Sequence, residues 1–133
     1  MTLSGALAKY IQDLGIYGIF GTDIFIGAVP SEKAEAKAMW IVGAGGAPVI
    51  RNQTGEKTKS YIRTIFYRNT DAEDVDTVLQ GLETHFNSKL CDQLEGYDTI
   101  DMEASGLATD GDIDAEDRTI GSIELTITVY QSS

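Results

Sequence analysis

Residues 60–86 read SYIRTIFYRNTDAEDVDTVLQGLETHF, and this stretch decides the fold. Ser60–Arg68 is rich in β-branched and aromatic residues, which favour a strand, and apolar side chains on both of its faces indicate a central strand. Thr70–Glu73 matches a capping box, in which the Thr70 hydroxyl accepts a hydrogen bond from the Glu73 backbone N–H. Apolar residues then recur at helical spacing: Val75, Val78, Leu79, Leu82, Phe86 and Leu90. A long strand is therefore predicted to run directly into an amphipathic helix.

The segments around this unit predict one more helix and four more strands. Leu3, Leu7, Ile11 and Leu14 form one apolar stripe of a helix, which glycines at positions 15 and 18 end. Strand propensity and alternation predict the remaining strands at Asp23–Val29, Ala38–Val42, Tyr97–Ala104 and Ile123–Tyr130.

A glycine-rich segment separates two of these strands. Gly43–Lys59 is predicted as a flexible polar loop, with or without a short strand at Val49–Arg51. The order of elements is then α-β-β-β-α-β-β. This order predicts one α+β domain, residues 1–133, with a mixed or antiparallel β-sheet and two main helices packed on one face.

The composition is typical of a single globular domain. The chain has 133 residues, of which 42% are hydrophobic and 23% charged. No apolar run reaches the roughly 20 residues that a membrane span needs, and the first residues lack the pattern of a secretory signal. Cys91 is the only cysteine, so an intrachain disulfide cannot form. We expect a soluble, intracellular protein without a membrane partner.

The negative charge is concentrated in the second half of the chain. Residues 1–70 contain eight basic and five acidic residues, whereas residues 71–133 contain two basic and sixteen acidic ones, and the total is −11. Such an excess of negative charge argues against binding to a phosphate backbone by the second half. Opposite charge on the two halves favours head-to-tail association of copies, although solubility alone also explains it.

The acidic stretch TDGDIDAED at residues 109–117 resembles the start of a calcium-binding loop. Asp110, Asp112 and Asp114 would fill positions 1, 3 and 5 of an EF-hand. However, position 6 is Ala115 where glycine is needed, and position 12 is Gly121 where a bidentate glutamate is needed. We therefore expect an acidic connector between two strands, without a metal.

Other patterns that could carry chemistry are incomplete. The run GAGGAP has a proline where a dinucleotide-binding turn needs its last glycine, and GEKT lacks the spacing of a phosphate-binding loop. His85 is the only histidine, which makes a zinc site improbable. We predict that the protein is not an enzyme and uses no cofactor.

Several segments together resemble the small tail terminator (tail completion) proteins of long-tailed bacteriophages, of the phage lambda type. They are LSGALAKYIQDLG, DIFIGAVPSEKAEAKAMWIVG, SYIRTIFYRNTDAEDVDTVLQGLETHF, the acidic connector and the last strand, SIELTITVYQSS. The resemblance covers most of the chain and is one of architecture and pattern. The glycine-rich loop Gly43–Lys59 has no role that the resemblance assigns.

The resemblance implies an α+β subunit that is made in the host cytoplasm and assembles as a homohexameric ring in the virion, on the head-proximal end of the tail. The ring would stop polymerisation of the tail tube protein and offer a docking surface to neck or head connector proteins. DNA would pass through its lumen without specific binding. The resemblance implies no catalytic, cofactor-binding or metal residues.

The charged residues gain a role in such a ring. We hypothesise that an acidic group faces the lumen or a basic patch of the neighbouring subunit. The acidic group is Asp110, Asp112, Asp114, Glu116 and Asp117; the basic patch is Arg51, Lys57, Lys59, Arg63 and Arg68. Alternative interpretations are another phage neck or head-completion protein, or a small calcium- or ligand-binding module that uses Asp110–Asp117.

Overall fold

Two helices and six strands make up the described part of the chain. The computed structural model describes residues 2–15, 18, 20–27, 37–46, 50–51, 57–88, 94, 99–113 and 119–131. The elements are α1 (Leu3–Leu14), β1 (Ile24–Ile26), β2 (Ala38–Gly46), β3 (Ile50–Arg51), β4 (Lys57–Asn69), α2 (Ala72–Ser88), β5 (Thr99–Ile113) and β6 (Thr119–Gln131). The predicted α+β class is confirmed.

All six strands belong to one mixed sheet. Its order is β1-β2-β4-β6-β5, and β3 pairs with the beginning of β4. β1 and β2 are parallel, and every other pair is antiparallel. Strand β4 lies between β2 and β6, which confirms the central position predicted for Ser60–Arg68. Its pairing with β6 is unbroken over thirteen residue pairs, from Lys57–Gln131 to Asn69–Thr119.

The helices cover one face of this sheet, here called the inner face. Alternate residues of β4 and β6 point to it, because successive side chains of a strand point to opposite faces. Ile65 and Leu125 are fully buried there together with Leu7 of α1 and Leu79 of α2. Each such side chain contributes about 1.5–3 kcal/mol by leaving water. The contact between apolar helix stripes and alternating strands therefore holds the layers together.

The opposite, outer face of the sheet carries a stacked aromatic pair. Trp40 of β2 and Phe66 of β4 are register partners. Their rings lie 5.3 Å apart between centroids and are inclined by 11°. Both side chains are half-buried. This pair links the two strands on the face that the two described helices leave open.

Helix α1 begins and ends as the sequence predicts. The Thr2 hydroxyl accepts a hydrogen bond from the Gly5 backbone N–H at 3.0 Å and so caps the first turn. Gly15 follows the last turn with φ of 72°, a left-handed conformation that glycine adopts without a steric cost. Leu14 is only partly buried at this end.

Helix α2 begins one residue later than the predicted capping box. The carboxylate of Asp71, not the Thr70 hydroxyl, accepts the Glu73 N–H, with Oδ1 at 3.0 Å. Aspartate caps helices as well as threonine does, and the strand before it runs to Asn69. The capping-box prediction was therefore wrong by one position. The predicted apolar stripe is otherwise confirmed through Phe86, and Leu90 lies outside the described residues.

Most strand boundaries differ from their predictions, and β4 and β6 both extend beyond them, to Lys57–Asn69 and Thr119–Gln131. β1 is three residues long, because Gly27 turns the chain with φ of 84°. β2 continues through Gly46, since backbone pairing with β4 needs no side chain. β5 extends to Ile113, so the stretch predicted as a connector begins as a strand paired with β6. The predicted loop after Gly43 is correspondingly shorter, and β3 supplies the short strand within it.

Candidate assembly interface

Most of the described charged residues singled out in the sequence lie toward one or the other end of the sheet. Lys57 and Lys59 of β4 lie at one end, and Arg51 of β3 is the register partner of Lys57. This is the basic end. The other end holds Asn69 of β4, and Asp71 follows two residues later. This is the acidic end.

The described part of the acidic stretch reaches the acidic end. Asp112 of β5 pairs with Ile120, which in turn pairs with Arg68 of β4. Asp110 also lies within β5, whereas Asp114, Glu116 and Asp117 lie outside the described residues. Thirteen paired residues separate the two ends, which is about 40 Å at the rise of an antiparallel strand. Within one copy, Asp112 therefore lies far from the basic end.

Arg68 lies away from the other cations, and Arg63 lies further along β4 than Lys57 and Lys59. Arg68 belongs to the acidic end, where it pairs with Ala38 of β2. Arg63 lies on the inner face near the middle of β4. Its Nε donates to the Ser4 hydroxyl at 2.9 Å, and one terminal nitrogen donates to the Ile62 carbonyl at 2.9 Å. The structure thus separates Arg68 from the predicted patch and ties Arg63 to the first turn of α1.

Lys59, Tyr61 and Arg63 form a cation–aromatic cluster on the inner face. The Lys59 Nζ lies 4.9 Å from the centroid of the Tyr61 ring, and the Arg63 Cζ lies 5.6 Å from it. Both distances are within the range of cation–π attraction. Gly43, the register partner of Arg63, leaves room beside the guanidinium. The prediction missed Tyr61; its only signal is the alternation of these three residues along one strand face.

A second polar cluster joins β4 to α2 at the acidic end. The Tyr67 hydroxyl donates to Asp74 Oδ2 at 2.6 Å, and the Asn69 amide donates to the same oxygen at 2.7 Å. The Tyr67 bond holds the pKa of the Asp74 carboxyl below its usual value; burial opposes this, and Asn69 and the Lys37 cation add to it. Asp74 is thus engaged within its own chain.

At one residue, a side chain forms hydrogen bonds with the backbone of the edge strand β5. Strand β5 forms this edge, and the Asn87 carboxamide of α2 pairs with the Ala104 backbone there. Its nitrogen donates to the carbonyl at 2.8 Å and its oxygen accepts the N–H at 2.8 Å. Three register shifts interrupt the rest of the β5–β6 pairing. Such irregularities protect an edge from pairing with another strand.

The single histidine links the two helices. His85 Nε2 lies 2.7 Å from the Tyr10 hydroxyl, and the two rings are in contact. Within the part of the chain that the structure describes, no three His, Cys, Asp or Glu side chains are grouped as a metal site would need. No helix in the same residues is long and apolar enough to span a membrane.

Comparison with known proteins places the chain by its fold. No protein-family model matches it, and no curated protein matches its sequence. Among solved structures, it is similar to a chain in the virion of a native gene transfer agent (GTA) particle, with a TM-score of 0.62. The match covers 95% of this chain and 94% of the other, at 10% sequence identity. At this identity, the similarity establishes a shared fold.

Proposed function

We propose that the protein is a structural component of a phage-like virion and acts as a tail terminator. The observation that carries this proposal is the fold shared, over nearly the full length of both chains, with a chain of a GTA virion. The resemblance of the sequence to tail terminators supports it independently. Copies of the chain form a ring, a homohexamer, on the head-proximal end of the tail tube.

The separation of charge along the sheet supports association of copies in a ring. A ring requires two different surfaces on each subunit that complement each other after a rotation. The basic and acidic ends are two such surfaces, and they are too far apart to neutralise each other within one copy. The proposed ring stops polymerisation of the tube protein and presents a docking surface to the neck or head connector proteins.

The acidic group has one of two places in the proposed ring. Asp110, Asp112, Asp114, Glu116 and Asp117 either line the lumen or contact the basic end of the next copy. A lumen wall of carboxylates does not hold the phosphate backbone, because contacts to phosphate dominate the affinity of proteins for DNA. DNA then passes without specific binding, and neither activity as an enzyme nor a cofactor is involved.

Electron microscopy and light scattering over a concentration series test the proposal. The expected result is six-fold rings, either free or on the ends of purified tail tubes. The same samples should show that added protein limits the length of growing tubes. A chain that stays monomeric at all concentrations and does not bind tube ends would contradict the proposal.

A second candidate is another neck or head-completion protein of the same kind of particle. The shared fold with a virion chain fits this candidate as well. Binding to portal or adaptor surfaces in place of tube ends would favour it.

A calcium-binding module, the remaining interpretation, is disfavoured by the backbone. Thr109–Ile113 lies in strand β5 and not in the turn of an EF-hand loop. A rise in melting temperature with calcium would revive this interpretation.

A further inference from the structure

We propose that the cation–aromatic cluster of Lys59, Tyr61 and Arg63 binds the acidic end of a second copy of this chain. The inference rests on the proposed function, because it requires that copies associate. It goes further by assigning the contact to three side chains of one strand face. The partner group is the set of carboxylates at the first turn of α2 and the end of β5 in the second copy.

The cluster holds two cations close to one ring. Side chains four residues apart on a strand lie about 13 Å apart at their backbones, yet both charged groups approach Tyr61 to within 6 Å of its centroid. Two like charges held in this way repel each other. Among described residues, their contacts are the Tyr61 ring, the Ser4 hydroxyl and the Ile62 carbonyl, none of which is a carboxylate. An incoming carboxylate would remove the repulsion and accept hydrogen bonds from both cations.

The first turn of α1 adds to the attraction for an anion. Ser4 of this turn accepts the hydrogen bond from Arg63, so the guanidinium is held beside the amino end of a twelve-residue helix. The amino end of a helix carries a partial positive charge. Arg63 is therefore positioned before a partner arrives, which reduces the entropy lost on binding.

The distance of the acidic end from the cluster points to a second copy as the partner. Asp71 and Glu73 are exposed at the far end of the sheet. From Lys59 to Asn69 is a distance of about 33 Å along β4, while charges in solution are screened over about 8 Å. The carboxylates at the acidic end of the same copy are thus out of reach of the cluster. Those of another copy can approach the cluster when the two sheets meet end to end.

The first test reverses the charge of the cluster. Lys59→Glu should raise the dissociation constant for self-association at least about tenfold, as is typical of close charge pairs at interfaces. Lys9→Glu is the matched control, because it makes the same change of charge at an exposed site of α1. Sedimentation velocity over a dilution series, at low and high salt, measures both. The wild-type association should weaken as salt increases.

The second test separates the aromatic platform from the charge. Tyr61→Phe keeps the ring and should associate like the wild type, whereas Tyr61→Leu removes the ring and should associate more weakly. Circular dichroism and urea unfolding show that each variant is folded at the concentrations used. Loss of association in Tyr61→Phe as severe as in Tyr61→Leu would contradict a role for the cation–π contact.

A charge exchange completes the experiment. Lys59→Glu protein mixed with protein carrying Glu73→Lys and Asp112→Lys should recover association that neither variant shows alone. If the wild type does not associate, the proposed function fails. If the wild type forms rings and Lys59→Glu forms them equally well, or if Lys9→Glu is equally impaired, only the present inference fails.

Discussion

Two tyrosines on the same face of β4 have opposite surroundings. Tyr67, at the acidic end, is buried and donates its hydroxyl to a carboxylate of its own chain. Tyr61, at the basic end, is half-buried and gathers two cations without a carboxylate among the described residues. In the first cluster, the carboxylate accepts its hydrogen bonds within its own chain, and these bonds stabilise the fold. The second holds two cations without a carboxylate among the described residues, so the comparison separates a group that holds the subunit together from one that we propose serves association.

The largest expected effect comes from truncating Tyr67, and truncation of Tyr61 is the comparison. Tyr67→Ala should lower the free energy of unfolding by about 3–5 kcal/mol, because it opens a cavity in the core. Tyr61→Ala should lower it by about 1–2 kcal/mol, since less of this ring leaves water on folding. Urea denaturation of both variants measures the difference. Equal losses in the free energy of unfolding would mean that Tyr61 contributes as much to the fold as Tyr67 does.

The hydrogen-bonded Asp74 should give the acidic end a pH dependence. Asp74→Asn should lower the free energy of unfolding at neutral pH by about 1–3 kcal/mol, since it removes a charged acceptor from the Tyr67 hydroxyl. The folded-state pKa lies below the ordinary value of 3.8. The carboxylate therefore contributes stability that is present above this value and is lost as pH falls through the folded-state pKa.

Urea midpoints of the wild type and Asp74→Asn, measured from neutral pH to below 3.8, test this sign. The difference between the two proteins should shrink as the pH decreases. A difference that stayed constant over this range would show that the charge of Asp74 is not what stabilises the junction. Asp76→Asn is a suitable control, because Asp76 accepts a hydrogen bond from Gln80 on the same exposed helix surface.

Asn87, whose amide forms hydrogen bonds with the β5 backbone, should protect the edge of the sheet. Asn87→Ala removes both hydrogen bonds to Ala104 and should cost about 1–2 kcal/mol. It should also increase association that is insensitive to salt, since an open strand edge pairs with other strands. Gln80→Ala, which removes another amide from α2, is the control. Light scattering at high salt distinguishes this association from the proposed charge-driven one.

The smallest expected effect is a gain in stability that leaves association unchanged. Gly81 is exposed in the middle of α2, and a Cβ placed there meets nothing within 4 Å. Gly81→Ala should therefore raise the free energy of unfolding by about 0.5–1 kcal/mol through helix propensity. Thermal unfolding and sedimentation together test it. A weaker association in this variant would show that the middle of α2 also contacts the partner copy, in addition to the two ends of the sheet.

The fold was largely predictable because its signals are local. The apolar stripe of α2 and the propensity of Ser60–Arg68 act within a few residues, and both predictions are confirmed. The glycines of β2 and the acidic residues of β5 were predicted as loops, because their own propensities disfavour strands. Pairing with β4 and β6 overrides those propensities. Such pairing joins residues far apart in sequence, which a local pattern does not reveal.

The candidate site was less predictable than the fold. Composition alone shows that the charge is unevenly distributed, but the register of β4 and β6 determines that the ends are separated. The separation of Arg68 from Lys59 follows from that register too. The contact of Lys59 and Arg63 with Tyr61 depends on side-chain rotamers, and the bond from Arg63 to Ser4 crosses 59 residues of sequence. Alternation along the strand places Lys59, Tyr61 and Arg63 on one face, but it does not show either contact.

The unbroken pairing of β4 with β6 has a mechanical consequence. If copies meet through the two ends of the sheet, tension around a ring runs parallel to these strands. The hydrogen bonds between antiparallel strands are perpendicular to that direction, so tension between the cluster on β4 and the end of β5 loads the β4–β6 pairs that lie between them in shear and together. Bonds loaded together resist far more force than bonds that open one after another. The long ladder would thus make each subunit a stiff link, able to keep a ring closed under strain.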